Sequence, residues 1–300
     1  MSFRRALWAL AVVVCLAAPV AVQAQGDYLD VYTVKVKPEK VADFQALTKK
    51  WADANRRYNG DRWLALETVY GESNVYLFTS TRKDYADVGA TEAAAMLAAN
   101  KAFGKETAQK MEQDFSNCLV WSRSELRRRR WDLSRKPPTD PDAYAKFIGE
   151  SRLLRTTAAH IRSGHVPDFE ALLKDMKEAS EKNPNAQPVF VSQVVEGSKG
   201  ATFYISTLRS SFGGFDHNPT TREILGEEGY KKFQQINADA VETAESTLYR
   251  FAPDISNPPD EIAKVAAEFW RPKAMMAAAT TKPKTATMKP TAAKELTKKQ

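Results

Sequence analysis

Two titratable side chains lie inside segments that read as β-strands, and either could act as a general base. Glu67 interrupts the apolar segment Trp63–Tyr70, and His160 lies near the end of Leu153–Ile161. Desolvation in a pocket raises the pKa of a carboxyl group, and imidazole titrates near neutral pH unaided, so both types can accept a proton from a substrate. The alternative for Glu67 is a solvated or salt-bridged strand residue, and for His160 a surface or hydrogen-bonded core histidine. The pattern favours these alternatives, and both residues are kept as weak catalytic candidates.

Aromatic side chains recur in the same strands and could stack on a flat ligand. Such residues fill protein cores by default, but those that face a cavity bind apolar molecules. Gln193 occupies the place in the second half of the chain that Glu67 occupies in the first. We therefore predict a small apolar or aromatic ligand, without predicting which sheet face carries the pocket. The predicted ligand-binding set is Tyr32, Trp63, Glu67, Tyr76, Phe190, Gln193 and Tyr204.

Several common kinds of site are absent from the sequence. Two cysteines exclude a disulfide scaffold and a Cys-rich zinc module, and three histidines leave little for a multi-histidine metal site. There is no Ser/His/Asp arrangement, phosphate-binding loop or dinucleotide fingerprint, so we predict neither a metal nor a cofactor. The basic run Arg127–Arg130 could contact a polyanion. Alternate strand residues point to opposite faces, however, so we interpret the run as a solvated strand end or linker and expect no specific nucleic-acid partner.

The middle of the chain contains two copies of one sequence unit. Val41-Ala-Asp-Phe-Gln-Ala-Leu47 recurs as Val166-Pro-Asp-Phe-Glu-Ala-Leu172, and Tyr76-Leu-Phe-Thr-Ser-Thr-Arg82 recurs as Phe203-Tyr-Ile-Ser-Thr-Leu-Arg209. The segments keep their order, and the repeat distance of about 125 residues is that of a domain rather than of a solenoid repeat. The sequence therefore predicts two copies of the same domain.

Each copy reads as strand, helix, strand, strand, helix, strand, which is the ferredoxin-like order. In the first copy, Leu29–Val36 is rich in β-branched and aromatic residues, and Val41, Phe44, Leu47 and Trp51 follow at helical spacing. The helices Thr91–Gln113 and Thr221–Val241 are predicted as the second helix of each copy. Because the strands carry apolar residues on both faces, each sheet needs a second cover besides its helices. We predict an α+β fold in which two tandem ferredoxin-like units pack sheet to sheet as an intrachain α/β barrel.

These paired helices and the Tyr/Phe-rich third strands resemble the dimeric α/β-barrel superfamily over roughly residues 27–252. This group includes antibiotic-biosynthesis-type monooxygenases and NIPSNAP-like proteins, and the likeness does not specify a subfamily. The resemblance implies a pocket between each sheet and its helices. It also raises the possibility of haem, which the group's haem degraders hold with a helix-borne histidine. Both second helices lack histidine, so haem chemistry is not expected.

The two ends of the chain differ in composition from the repeats. Arg4 and Arg5, an apolar stretch and Val22-Gln23-Ala24 form the pattern of a cleavable signal peptide, which predicts export to the periplasm or the medium. Cys118 would then remain as a single buried thiol. Residues 272–300 hold seven lysines and one glutamate and are predicted to be disordered. The predicted divisions are 1–24 signal peptide, 27–135 first repeat, 136–151 linker, 152–253 second repeat, 259–271 helix and 272–300 tail.

The net charge of +7 comes from these ends, since residues 25–271 contain 35 basic and 36 acidic side chains. Three functions remain open. The first is an exported barrel that binds a small apolar or aromatic ligand. The second is a cofactor-independent monooxygenase, and the third is an interaction protein that its basic tail tethers to an acidic envelope surface. The protein could be a monomer or a homodimer, because pairing within the chain can cover both sheets.

Overall fold

Each repeat forms a four-stranded antiparallel sheet, and the two sheets join at both edges into a closed barrel. The structure is a computed structural model that describes residues 27–271, so the predicted signal peptide and basic tail lie outside the described residues. The strand order around the barrel is β1-β3-β2-β8-β5-β7-β6-β4. The strands are β1 Tyr28–Val36, β2 Leu64–Tyr70, β3 Val75–Arg82, β4 Leu119–Arg129, β5 Leu153–Ile161, β6 Phe190–Glu196, β7 Ala201–Arg209 and β8 Val241–Phe251.

Helices cover the outside of the barrel and one of its ends. The layer over the first sheet contains α1, α2 and α3, the layer over the second contains α5 and α6, and α4 packs against α7. No helix among residues 27–271 is both long and apolar enough to cross a bilayer. The helices are α1 Val41–Arg57, α2 Tyr85–Phe103, α3 Lys105–Asn117, α4 Pro141–Glu150, α5 Val166–Lys182, α6 Thr221–Ala240, α7 Asp260–Val265 and α8 Ala267–Trp270.

Two seams close the barrel without a second chain. Strand β2 pairs with β8 and strand β4 pairs with β6, both antiparallel. Each seam joins one repeat to the other, so every strand within residues 27–271 has two hydrogen-bonded neighbours and the barrel has no open sheet edge there. The predicted tandem ferredoxin-like α/β barrel is therefore confirmed, with the addition that the units meet through their strand edges as well as their faces.

Alternation along the strands separates an outer face from an inner one. On β1, Val34 and Val36 point outward and pack with Phe44 of α1, whereas Val31 points inward and packs with Leu66. In the second repeat, Phe203 points outward and its ring contacts Phe169 of α5, with ring centroids 5.2 Å apart. Because both faces are apolar over much of their length, the helices fill the outside and the opposite sheet faces the inside.

Three segments differ from their predicted form. The single helix predicted over 91–113 is two helices, because Gly104 at φ +82° ends α2 and precedes α3. The stretch 136–151, predicted as a linker, contains α4, whose first turn is capped by the Asp140 side chain. The predicted C-terminal helix packs against α4, but Ala266 at φ −139° divides it into α7 and α8.

Gly197 in the β6–β7 turn lies against the backbone of β4 and should not tolerate a side chain. It adopts φ +94°, and a Cβ there would come within 2.2 Å of the Ser124 carbonyl oxygen. Gly197→Ala is expected to cost about 2–4 kcal/mol, since the left-handed conformation and the clash add together. Urea unfolding measures the loss. Gly200→Ala is the control, because Gly200 adopts φ +73° with open space around it. Equal losses in both variants would show that contact with β4 is unimportant.

Candidate functional site

The interior of the barrel holds two cavities that share Arg127 in their walls. The first, which we call the apolar chamber, has a volume of about 140 Å³ and lies at the end where α4 and α7 pack. The second, the polar vestibule, has a volume of about 220 Å³ and lies at the other end. The apolar chamber is lined mainly by Leu29, Val31, Leu64, Leu66, Leu77, Trp131, Tyr144, Ile148, Phe190, Leu208, Phe251 and Ile262.

Aromatic rings form one wall of the apolar chamber. The rings of Trp131, Tyr144 and Phe190 meet edge to face, with centroids 6.2–6.5 Å apart. Tyr144 and Ile148 come from α4 and Ile262 comes from α7, so the two helices close this end of the barrel. Edge-to-face packing fixes ring orientation, and the wall is therefore a shaped surface for a flat apolar molecule.

Cationic groups also reach the apolar chamber. Among the described residues its lining contains Arg62, Arg127 and Arg129 but no carboxylate. Arg62 lies 3.8 Å from the Asp260 carboxylate, and the Arg129 guanidinium donates to Thr81 Oγ1 at 3.1 Å. Arg129 also lies over the rings of Trp131 and Tyr144, 5.3 and 5.4 Å from their centroids. The lining thus offers guanidinium N–H groups beside apolar rings, which suits a ligand that carries a hydrogen-bond acceptor.

A buried ion pair separates the two cavities. Arg127 donates from Nε and a terminal nitrogen to one oxygen of Glu125, at 2.9 and 2.6 Å, and both side chains are under 10% exposed. The Arg127 guanidinium lies 3.4 Å from the centroid of the Tyr204 ring, and the Tyr204 hydroxyl donates to the other Glu125 oxygen at 3.2 Å. Burial raises the pKa of Tyr204 above its ordinary value. Tyr204 therefore stays protonated and keeps its hydrogen bond to Glu125.

The polar vestibule contains the only histidine that reaches the described part of the barrel interior. His160 Nδ1 lies 3.0 Å from Thr202 Oγ1, which in turn lies 2.7 Å from Ser198 Oγ. Tyr249 also lines this cavity, and burial raises the pKa of its hydroxyl. Within residues 27–271 no cluster of three or more His, Cys, Asp and Glu side chains has the spacing to hold a metal ion.

Four of the sequence-predicted site residues reach the barrel interior. Trp63 and Phe190 line the apolar chamber, and Trp63 is anchored because its Nε1 donates to the Ile255 carbonyl at 2.9 Å. Tyr204 and His160 line the polar vestibule. The structure thus places Trp63 and Phe190 apart from His160 and Tyr204, with the Glu125–Arg127 pair between the two cavities.

The remaining predicted residues lie on the outer sheet face or point toward the helices. Tyr32 packs near Phe78, and Tyr76 accepts a hydrogen bond from Gln45 of α1 at 3.1 Å. Gln193 accepts from Arg130 at 2.8 Å. Glu67 faces Arg250 of β8 across the seam, 3.8 Å away, and its side chain is 37% exposed. These four do not line the apolar chamber, and their predicted role in ligand binding stays untested.

The residues that sequence reasoning missed are the inward-facing charges of β4. The sequence pattern places Arg127 and Arg129 in a solvated strand end or linker, yet they are only 6% and 9% exposed. Alternation did predict that the basic run divides between two faces, and Arg128 is exposed as that pattern requires. The sequence signal for their burial was Glu125. It lies two residues before Arg127 and therefore places a partner carboxylate on the same face of the strand.

Comparisons with known proteins support the fold. No protein-family model matches the chain, and no curated protein matches it. Among solved structures, an anthrone oxidase-like protein aligns with a TM-score of 0.50 at 14% identity, covering 77% of this chain and 94% of that chain. A mutant chlorite dismutase from Candidatus Nitrospira defluvii in complex with cyanide aligns with a TM-score of 0.43 at 9% identity, covering 82% and 97%.

A ferredoxin fold protein from Listeria monocytogenes 4b F2365, described as related to antibiotic biosynthesis monooxygenases, gives a TM-score of 0.35 at 10% identity over 76% of this chain and 97% of that chain. The chain has the fold of ferredoxin-like dimeric α/β barrels, as its sequence predicted. At these identities the likeness concerns the fold alone.

Proposed function

We propose that the protein binds a small aromatic molecule that carries a hydrogen-bond acceptor or an acidic group. The observation that carries this proposal is the apolar chamber itself, which is closed by α4 and α7 and combines an aromatic wall with the Arg129 guanidinium. Apolar pockets with a few convergent polar groups are the usual form of small-molecule sites.

The size of the chamber narrows the ligand class. Its volume of about 140 Å³ is close to the ~150 Å³ of an apolar cavity that holds one benzene molecule. A single substituted ring, such as benzoate or a phenol, fits this space. A polycyclic ligand would require α4 or α7 to move away from the end of the barrel.

Filling the chamber tests the proposal. Ser206 of β7 lines the apolar chamber and Ala158 of β5 lines the polar vestibule, and both face inward. Ser206→Phe is expected to weaken binding of benzoate or phenol at least tenfold by calorimetry, because the new ring occupies the ligand's space. Ala158→Phe, a matched insertion in the other cavity, should leave binding within twofold.

Near-ultraviolet circular dichroism of both variants establishes that they are folded. Equal loss of binding in the two variants would contradict the chamber as the site. Absence of binding by the wild-type protein across benzoate, phenol and toluene would contradict the proposed ligand class.

A second candidate function is a cofactor-independent monooxygenase. The fold likeness to an anthrone oxidase-like protein is compatible with it. Arg127 lines the chamber, and its partners Glu125 and Tyr204 line the adjoining polar vestibule. Glu67, the carboxylate that the sequence suggested as a base, points away from the chamber toward Arg250. Oxygen consumption with the phenol that binds best decides between binding and turnover. Turnover that survives in Ser206→Phe would place the chemistry outside the chamber.

A further inference from the structure

A third cavity lies outside the barrel, between the second sheet and its helices. It has a volume of about 140 Å³ and is bounded by β5, β7, α5 and α6. Its lining contains Arg135, Arg155 and Arg209, and none of the described residues in that lining is a carboxylate. Three guanidinium groups around one small cavity repel one another, so the arrangement needs an anion to offset its charge.

Two of these arginines have only neutral side-chain partners among the described residues. Arg135 makes one long hydrogen bond, 3.5 Å to Ser180 Oγ, and its burial lowers its pKa to about 10. Arg209 donates to the carbonyl oxygens of Gly214 and Leu208, at 3.0 and 2.6 Å, and to Asn218 Oδ1 at 2.6 Å. Its pKa is lowered as well, first by burial and then by the charge of Arg155. These contacts hold the guanidinium groups in place without neutralising them.

A buried hydroxyl beside the arginines also lacks a partner. Thr207 Oγ1 makes no hydrogen bond with any residue of the described range 27–271, although the residue is only 8% exposed and lines the same cavity. An unsatisfied buried hydroxyl costs about 1–3 kcal/mol, and native structures seldom leave one without a partner. A bound group that accepts a hydrogen bond would satisfy Thr207 and the arginines together.

In the first repeat, two aspartates neutralise the arginine at the equivalent position. Arg82 is the counterpart of Arg209 and contacts Asp61 at 2.7 Å and Asp30 at 3.0 Å. Asp30 pairs with Ser80 across β1 and β3, and the same register in the second repeat pairs Arg155 with Thr207. The second repeat therefore has an arginine where the first has the aspartate that neutralises its partner.

Two carboxylates lie in a cleft beside this cavity, and one of them caps a helix. Asp216 and Glu223 line a neighbouring outer cleft that shares Asn218 and Pro219 with this cavity. Glu223 accepts hydrogen bonds from the backbone N–H and the hydroxyl of Thr220 at the start of α6, and these bonds lower its pKa. Its charge is thus used in capping the helix rather than in the arginine cavity.

We propose that this cavity binds an oxyanion, either a free ion such as phosphate or the anionic group of a larger ligand. Arg135 and Arg209 would supply positive charge and donors, Arg155 would add charge at the solvent side, and Thr207 would donate its hydroxyl hydrogen. This site is separate from the apolar chamber and does not depend on the function proposed for it.

The proposal is tested by giving the second repeat the aspartate–arginine pair that the first repeat has. Arg155 is exposed, so Arg155→Asp should fold and should place a carboxylate beside Arg209, as Asp30 lies beside Arg82. Inorganic phosphate at constant ionic strength is expected to raise the melting temperature of the wild-type chain by several degrees, since a ligand that binds the native state stabilises it. In Arg155→Asp the affinity for phosphate should fall at least tenfold, while the melting temperature without phosphate should rise.

A second variant and a control keep the test specific. Arg135→Met should lose the phosphate effect without losing stability, because it removes a buried charge that has no carboxylate partner in the described part of the chain. Arg128→Met, which removes an exposed arginine of β4, should keep the full effect. Phenyl phosphate, compared with inorganic phosphate, tests whether the site prefers an anionic group attached to a larger molecule. Sulfate and acetate test whether it prefers a phosphoryl or sulfuryl group to a carboxylate. An unchanged phosphate affinity in Arg155→Asp, or no effect of any of these anions on the wild type, would overturn the proposal.

Discussion

Replacement of Arg127 by methionine should destabilise the fold by about 3–5 kcal/mol, since it leaves the carboxylate of Glu125 buried without its cation. Glu125 is 4% exposed and receives both donors of Arg127 on one oxygen. The other oxygen keeps the hydroxyl of Tyr204 and lies 3.7 Å from the guanidinium of Arg123. The Arg123 side chain is 61% exposed, so solvent screens its charge and it offsets little of the loss. Urea unfolding at neutral pH measures the loss directly.

The double variant Glu125→Gln/Arg127→Met separates the lost pair from the lost volume. Without either charge, most of the destabilisation should disappear, because a buried ion pair and a neutral replacement are often close in stability. Arg128→Met, at the adjacent exposed position, should change stability by about 0.5 kcal/mol or less. A double variant as unstable as Arg127→Met would show that packing against Tyr204, and not charge, holds this part of the barrel.

Replacement of Trp270 by alanine should cost about 3–5 kcal/mol, because it removes the largest fully buried side chain of the closed barrel end. Trp270 is 0% exposed, and its ring lies 5.4 Å from that of Phe251 and 4.9 Å from that of Phe269. Its Nε1 donates to the Gly149 carbonyl at the end of α4, at 2.9 Å. The variant therefore loses both the packing and the link between α8 and α4, and thermal unfolding should show a lower midpoint.

Trp121→Ala is the matched control for this prediction. Trp121 lies on β4 at the polar vestibule and is 37% exposed, so its truncation should cost about 1 kcal/mol or less. If Trp270→Ala also costs about 1 kcal/mol or less, the C-terminal segment 260–270 contributes little to the fold.

The fold followed from the sequence because the duplication repeats every local signal. Val41–Leu47 and Val166–Leu172 carry the same helical pattern, and the order of the elements leaves the ferredoxin-like arrangement as the natural solution. The division of two predicted helices was harder to predict from the sequence. Gly104 and Ala266 end their helices through particular backbone angles, and periodicity alone does not report such angles.

The candidate site was predicted only in part, for a physical reason. Trp63 and Phe190 were found because aromatic residues in strands are good candidates wherever the pocket lies. Arg127 and Arg129 were missed because a charged residue in a strand is normally assigned to solvent. Their burial is explained by the closed barrel, because its inner face turns this part of β4 toward a lumen instead of toward water.

Because the two seams close the barrel within one chain, its two halves need not be related by two-fold symmetry. In a barrel made from two identical subunits, each lumen residue would face its own copy, and a cation on one wall would meet the same cation on the other. Here the registers Tyr28↔Arg128 and Leu153↔Arg250 make Tyr249 the counterpart of Arg127 and Phe251 the counterpart of Arg129. Two arginines of one repeat therefore occupy positions that carry aromatic residues in the other repeat, and the two sides of the lumen differ in chemistry. A ligand bound there, as we propose, would contact different groups on each side.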